Sequence, residues 1–73
     1  MNITHYFSWD LRPAIIVDMG QFSNAYYLED GQDDWLEADT QAVLDMFANG
    51  SQMTEEEFTK EFGVLGTDLP KLP

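Results

Sequence analysis

Carboxylates dominate this sequence and offer the most chemistry. Among 73 residues, fourteen Asp and Glu oppose three Lys and Arg, so the formal net charge is -11. Six acids fall within residues 29–39 with no base among them: Glu29, Asp30, Asp33, Asp34, Glu37 and Asp39. A second cluster has Lys60 as its only base and comprises Glu55, Glu56, Glu57 and Glu61. Charges this dense repel one another, so we expect them to serve either solubility or a positively charged partner.

A basic protein is the partner that these clusters favour. Direct binding of DNA, RNA or anionic lipid would need a basic surface, which the chain cannot supply. Carboxylates at alternate positions of a strand would stand about 6.6 Å apart, close to the separation of neighbouring phosphates in a nucleic acid. The two clusters are therefore predicted to bind a partner, with Tyr26 or Tyr27 exposed beside them as an anchor. Trp35 is expected in the core.

Metal binding and catalysis receive less support from the sequence. Asp30, Asp33, Asp34 and Glu37 offer oxygen ligands suited to Ca²⁺ or Mg²⁺, but the acids lack EF-hand spacing. The chain has no cysteine, and its single histidine, His5, is expected at a core or edge position. No Ser/His/Asp arrangement or glycine-rich phosphate loop is present. We therefore expect a protein that is not an enzyme and that holds no metal or cofactor.

The elements that position the acids begin with β-strands. Polar and apolar side chains alternate over residues 3–9, and a β-branched run covers 14–17. Residues 25–29 are predicted to form a third strand, followed by a hairpin signal at Asp30-Gly31. Residues 35–37 fit either a short fourth strand or the start of the next helix. The aromatic content, 14% of the chain, indicates that these strands fold around a core.

Two helices are predicted in the second half. Asp39 or Thr40 caps a helix that runs to about Ala48 and stops at Asn49-Gly50. Ala42, Val43, Met46 and Phe47 form its apolar face.

The second predicted helix has the stronger local signals. Thr54 and Glu57 fit a capping box, and Met53 with Phe58 fits a hydrophobic staple. Gly63 is the predicted end of the helix.

The predicted fold class is α+β, a small antiparallel N-terminal sheet of three to four strands covered on one face by two short C-terminal helices. The other face is left to solvent or a partner. Residues 1–73 are expected to form a single acidic domain with an extended tail over about 64–73.

The predicted core consists of Phe7, Ile15, Val17, Leu28, Val43, Phe47, Phe58 and Phe62. The sequence lacks a signal-peptide pattern and an apolar run of membrane-spanning length, so a cytoplasmic protein is expected.

Three functions fit these features. The first is an acidic inhibitor that mimics nucleic acid and occupies the groove of a basic, nucleic-acid-binding protein. Phage anti-defence proteins of the anti-CRISPR or anti-restriction kind share this charge and size, though no motif. The second is an immunity protein or antitoxin that blocks a basic toxin nuclease. The third is a non-catalytic adaptor or subunit whose acidity serves solubility.

Overall fold

An antiparallel sheet of five strands and two helices make up the fold. The computed structural model describes residues 2–29 and 34–63. In chain order the elements are β1 (Asn2–Trp9), β2 (Arg12–Asp18), β3 (Ser23–Tyr27), β4 (Leu36–Glu37), α1 (Thr40–Asn49), β5 (Ser51–Met53) and α2 (Glu55–Phe62). The α+β class, the N-terminal sheet and the two C-terminal helices are confirmed. The predicted hairpin signal at Asp30-Gly31 and the tail over 64–73 lie outside the described residues.

The strands lie in the order β4-β3-β2-β1-β5, so β2 is central and the two shortest strands form the edges. β1 pairs with β2 from Asn2↔Asp18 to Trp9↔Arg12, with a register shift between Ile3 and His5. Leu36 and Glu37 pair with β3, which places the segment after residue 34 in the sheet rather than in the next helix. β5 was not predicted, because three residues are too few to show a strand pattern.

The two helices cover opposite faces of the sheet, so the prediction that both cover one face is wrong. On the α1 face, Met46 of α1 joins a cluster from β1, β2 and β3 formed by Phe7, Trp9, Ala14, Ile16 and Ala25. On the α2 face, Phe58 of α2 joins Ile15, Val17 and Tyr26. The buried run of β2 directs alternate side chains to opposite faces, so each face needs its own cover.

Most of the predicted core residues are at least partly buried. Phe7, Ile15, Val17 and Phe58 are buried, while Leu28, Val43 and Phe62 are half-buried. Phe47 is 52% exposed, so its assignment to the core is wrong. It lies at the margin of the apolar stripe of α1, where its ring contacts Phe7 and His5 edge-on, with centroids 5.2 and 5.4 Å apart. Met46 is fully buried at the centre of that stripe.

Side chains before the helices fix their N-termini. The carboxylate of Asp39 accepts a 2.8 Å hydrogen bond from a backbone N–H of α1, so Asp39 is the cap of that helix. At α2, the Thr54 hydroxyl accepts from the Glu57 N–H and the Glu57 carboxylate accepts from the Thr54 N–H, which confirms the capping box. Among the described residues, neither helix has the length and hydropathy of a membrane span.

Glycines end both helices, in different ways. Gly63 follows α2 with φ 68°, the left-handed conformation common at helix ends. Gly50 follows α1 in extended backbone with φ -76°, and its N–H donates a 2.8 Å hydrogen bond to the carbonyl of Met46. Both predicted stops are confirmed, and Gly50 leads directly into β5.

Candidate functional site

The described carboxylates differ in whether the fold itself uses them. Three of the fourteen acids, Asp30, Asp33 and Asp68, lie outside the described residues, which leaves eleven. Five of these have partners within the chain: Asp18, Glu29, Asp39, Asp45 and Glu57. The other six have none among residues 2–29 and 34–63: Asp10, Asp34, Glu37, Glu55, Glu56 and Glu61. This division separates acids that hold the fold from acids that are available to a partner.

Three of the engaged carboxylates accept backbone N–H groups. Asp18 accepts from the N–H two residues further on at 2.8 Å, and Asp39 caps α1. Glu57 accepts from the Thr54 N–H at 3.0 Å. The pKa of Glu57 is lowered, first by this backbone bond and then by the hydrogen bond with the Thr54 side chain. Asp39 and Glu57, both predicted partner-binding residues, therefore also have structural roles.

Glu29 forms an ion pair with Arg12, the one Lys or Arg side chain in the described strands. Arg12 Nη1 lies 3.0 Å from Glu29 Oε1. The guanidinium also lies over the Trp9 ring, 3.9 Å from its centroid, and 5.3 Å from the ring centroid of Tyr27. Both charged side chains are partly exposed, so the ion pair adds little stability. It does neutralise Arg12, which would otherwise repel a basic partner.

Asp45 links α1 to the sheet. Its carboxylate accepts a 2.6 Å hydrogen bond from Trp9 Nε1 and another from the Asn49 amide. These bonds lower the pKa of Asp45, with that from Trp9 the larger cause and a smaller contribution from the charge of Arg12. Asp45 was not a predicted site residue, and its role here is structural.

The unpartnered carboxylates are exposed and occupy two predicted clusters together with one turn. Asp34 and Glu37 lie at the β4 edge. Three more lie on α2, namely Glu55, Glu56 and Glu61, and Asp10 lies in the β1–β2 turn. The described part of the chain shows no ion pair between them and Lys60. We call the five carboxylates of the β4 edge and α2 the acidic surface.

Both parts of the acidic surface border the α2 face. Glu37 lies opposite Tyr26, so its side chain points to the face that carries Tyr26. α2 packs on the same face against β1, where the rings of Tyr6 and Phe58 are 5.1 Å apart. β1 and β4 are separated by three inter-strand spacings, about 14 Å. The half-buried Trp35 packs against the core of this face.

The charge of the acidic surface acts on a neighbouring phenol. The pKa of Tyr6 is raised, first by burial and then by the negative charge of Glu55. Glu55 is the first residue of α2, which packs against the strand that carries Tyr6.

The tyrosines do not lie as predicted. Tyr26 and Tyr27 do point to opposite faces, but Tyr26 is only 6% exposed and Tyr27 is half-buried. The expectation that one of them is exposed is wrong because helices cover both faces. The expected row of carboxylates along one strand is also not formed, since no strand within residues 2–29 and 34–63 carries two acids.

The β1–β2 turn is a surface feature that the sequence did not indicate. Asp10 and Leu11 link the paired residues Trp9 and Arg12, and both have positive φ, 52° and 62°. Leu11 is 84% exposed. Two-residue hairpins with this backbone usually contain Asn-Gly or Asp-Gly, so Asp-Leu gives no recognisable turn signal.

No family model, curated protein or solved structure matches this chain. Its own geometry therefore carries the functional argument. Within residues 2–29 and 34–63, no group of three or more His, Asp or Glu side chains is placed to hold a metal ion. Of the predicted metal candidates, Asp30 and Asp33 lie outside that part of the chain, while Asp34 and Glu37 are exposed at the β4 edge.

Proposed function

We propose that this chain is a cytoplasmic acidic binding protein that inhibits a basic, nucleic-acid-binding protein by covering its binding groove. The observation that carries the proposal is the acidic surface, whose five carboxylates have no partner among the described residues and border one face of the sheet. The acids that stabilise the fold differ from these five, because they cap helices or accept hydrogen bonds within the chain. The unpartnered acids add mutual repulsion instead, which a cationic groove would relieve.

Charge complementarity, rather than a fixed row of phosphate-like groups, is the proposed basis of recognition. The acidic surface combines a sheet edge with a helix, so its charges form a patch. A patch of one sign steers an oppositely charged protein during encounter and contributes mainly to association rate and specificity. Exposed charges are screened beyond roughly 8 Å at physiological salt, so binding should weaken as salt increases. An inhibitor of the anti-CRISPR or anti-restriction type would act in this way.

The first experiment tests whether the acidic surface binds basic proteins. The immobilised chain is exposed to cell lysate at low and at high salt, and the retained proteins are identified. We expect basic, nucleic-acid-binding proteins that high salt releases and that lose their nucleic-acid binding when the free chain is added. A retained toxin nuclease would instead identify the chain as an immunity protein. Retention of no basic protein at low salt would contradict the proposal and leave solubility as the role of the charge.

The second experiment separates a local surface from total charge. Asp34→Asn with Glu37→Gln neutralises the β4 edge, whereas Gln41→Lys with Ala48→Lys adds the same charge at exposed positions of α1. Each pair changes the net charge from -11 to about -9, because the first pair removes two negative charges and the second adds two positive charges. We expect the β4 pair to slow association with the retained protein severalfold and the α1 pair to do much less. Equal effects would show that only total charge matters.

A further inference from the structure

The β1–β2 turn holds a leucine where the backbone disfavours it. Leu11 has φ 62°, the left-handed region in which a Cβ is crowded and which Gly, Asn or Asp normally occupy. It is also 84% exposed, more than Phe22 or Leu44, each 58% exposed. A singly exposed leucine is ordinary on protein surfaces. An exposed leucine in a left-handed turn is unfavourable in two independent respects, which points to a role outside the folding of the chain.

The base of the turn is held in place. Arg12, directly after Leu11, stacks on the Trp9 ring and donates a 3.3 Å hydrogen bond from Nε to the Trp9 carbonyl. Trp9 is itself fixed to α1 through Asp45. The tip that carries Leu11 therefore projects from a base with few free rotations, which lowers the entropy cost of using it in a contact.

Charged side chains flank this tip on both sides. Asp10, the other residue of the turn, is one of the carboxylates without a partner among the described residues. Arg12 contacts Glu29, so the acidic segment of residues 29–39 starts beside the turn. Leu11 is thus an apolar group bordered by the carboxylate of Asp10 on one side and by the Arg12–Glu29 ion pair on the other. Protein interfaces commonly have this arrangement, with an apolar centre and a polar rim.

We infer that Leu11 is the hydrophobic anchor of the contact with the basic partner. This inference rests on the function proposed above and adds a chemical requirement for the partner. The partner must offer an apolar pocket bordered by Lys or Arg side chains, so that Leu11 is buried while Asp10 meets a cation. The acidic surface steers the encounter, and Leu11 sets how long the complex lasts.

The test replaces Leu11→Asn, because asparagine tolerates the left-handed backbone and removes the apolar contact. The control is Leu44→Gln, which removes an exposed leucine from regular helix on α1. Binding is measured to two probes: the basic protein captured at low salt, and polylysine, which has cationic charge without an apolar pocket. Melting temperatures are measured for both variants.

We expect Leu11→Asn to melt at or a few degrees above the wild type, because it relieves the strained backbone. It should weaken binding to the captured protein about tenfold, equivalent to ~1.4 kcal/mol, mainly through faster dissociation. Binding to polylysine should not change, and Leu44→Gln should match the wild type with both probes.

Several outcomes would overturn the inference. If Leu11→Asn binds the captured protein as tightly as the wild type while Asp34→Asn with Glu37→Gln slows association, the anchor is refuted and the proposed function stands. If Leu11→Asn melts well below the wild type, Leu11 stabilises the fold, and that role explains the leucine at this position without a partner. If no basic protein is captured, the proposed function and the anchor both fail.

Discussion

Trp9 Nε1 donates a 2.6 Å hydrogen bond to a carboxylate oxygen of Asp45, thirty-six residues further along the chain. This bond joins β1 to α1, whose packing on the sheet otherwise depends on a narrow apolar stripe around Met46. Trp9 is 8% exposed, so its indole N–H depends on this carboxylate for a partner. The bond satisfies a nearly buried donor and fixes the position of the helix.

Removing either end of this bond should destabilise the fold, and removing both should cost less than the sum. Asp45→Asn keeps the shape of the side chain but weakens the acceptor, and Trp9→Phe removes the donor. Thermal melts of the two single variants and the double variant form a cycle that isolates their coupling. Asp34→Asn, an acid with no partner among the described residues, is the control and should melt with the wild type. Additive effects of the two substitutions would contradict the coupling.

Acid should remove the contributions of Asp45 and Glu57. Hydrogen bonds lower the pKa of each carboxyl in the folded state, so the unfolded state takes up protons first as the pH falls. Their stabilisation is complete above the ordinary carboxyl pKa values and is lost as the pH falls through the lowered folded values. The stability advantage of the wild type over Asp45→Asn or Glu57→Gln should therefore be constant at pH 6–7.

Comparing each variant with the wild type at the same pH is essential here. The net charge of the chain also changes with pH, and the resulting change in repulsion affects every variant alike. The measured quantity is the difference in melting temperature at each pH from 7 to 3. A difference that grows on acidification would contradict the assignment of these two carboxylates.

The local signals of the sequence predicted local structure well. Thr54 and Glu57 identified the start of α2 because a capping box uses residues three positions apart. The alternating pattern identified β1, and the β-branched run identified β2, which the structure places at the centre of the sheet. The allocation of the helices to faces was wrong because it depends on which side each connection crosses, and no short-range pattern records that.

At the candidate site, too, short-range sequence patterns did not record long-range contacts. The sequence located the acidic clusters but did not indicate which acids the fold uses, because Glu29 is engaged by Arg12 seventeen residues away. Asp39 was recognisable as a cap, since its partner is three residues on. Leu11 escaped notice because leucine is not a turn-forming residue. The structure was therefore needed to find two kinds of feature: contacts between residues that are distant in sequence, and the strained backbone of the β1–β2 turn.

The start of α2 should depend on the Thr54 hydroxyl. Thr54→Ala removes the acceptor for the Glu57 N–H and should lower the free energy of unfolding by about 0.5–2 kcal/mol. Thr40→Ala is the matched control, because Thr40 begins α1 and Asp39 provides the cap there. Urea titration of both variants measures the effect. Equal midpoints for the two variants would show that the capping box adds no stability.

The end of α1 should depend on the absence of a side chain at residue 50. A Cβ built on Gly50 would lie 2.5 Å from the Met46 carbonyl oxygen, a backbone atom that already accepts the Gly50 N–H. Gly50→Ala should therefore shift the link to β5 and lower the free energy of unfolding by about 1–3 kcal/mol.

The matched control for Gly50→Ala is Gly63→Asn, at the glycine that ends α2. Gly63 has φ 68°, which asparagine tolerates, and a Cβ there would meet no atom of residues 2–29 and 34–63 within 4 Å. Calorimetric melts of both variants should show a clear loss for Gly50→Ala and little change for Gly63→Asn. A Gly50→Ala protein that melts with the wild type would show that α1 and β5 adjust without cost.

Burial of a charge on the α2 face should unfold the chain. Val17 is 1% exposed and packs in the cluster that contains Ile15, Tyr26 and Phe58. Val17→Asp would place a carboxylate there without a cationic partner. At ~0.05–0.15 kcal/mol per residue, a domain of 73 residues has too little stability to absorb this cost.

The control is Leu44→Asp, which adds the same charge at a 58% exposed position of α1 and should leave the fold intact. Near-ultraviolet circular dichroism, which reports the packing of the aromatic rings, should vanish for Val17→Asp and persist for Leu44→Asp. A Val17→Asp protein with the wild-type spectrum would show that α2 does not cover this part of the sheet.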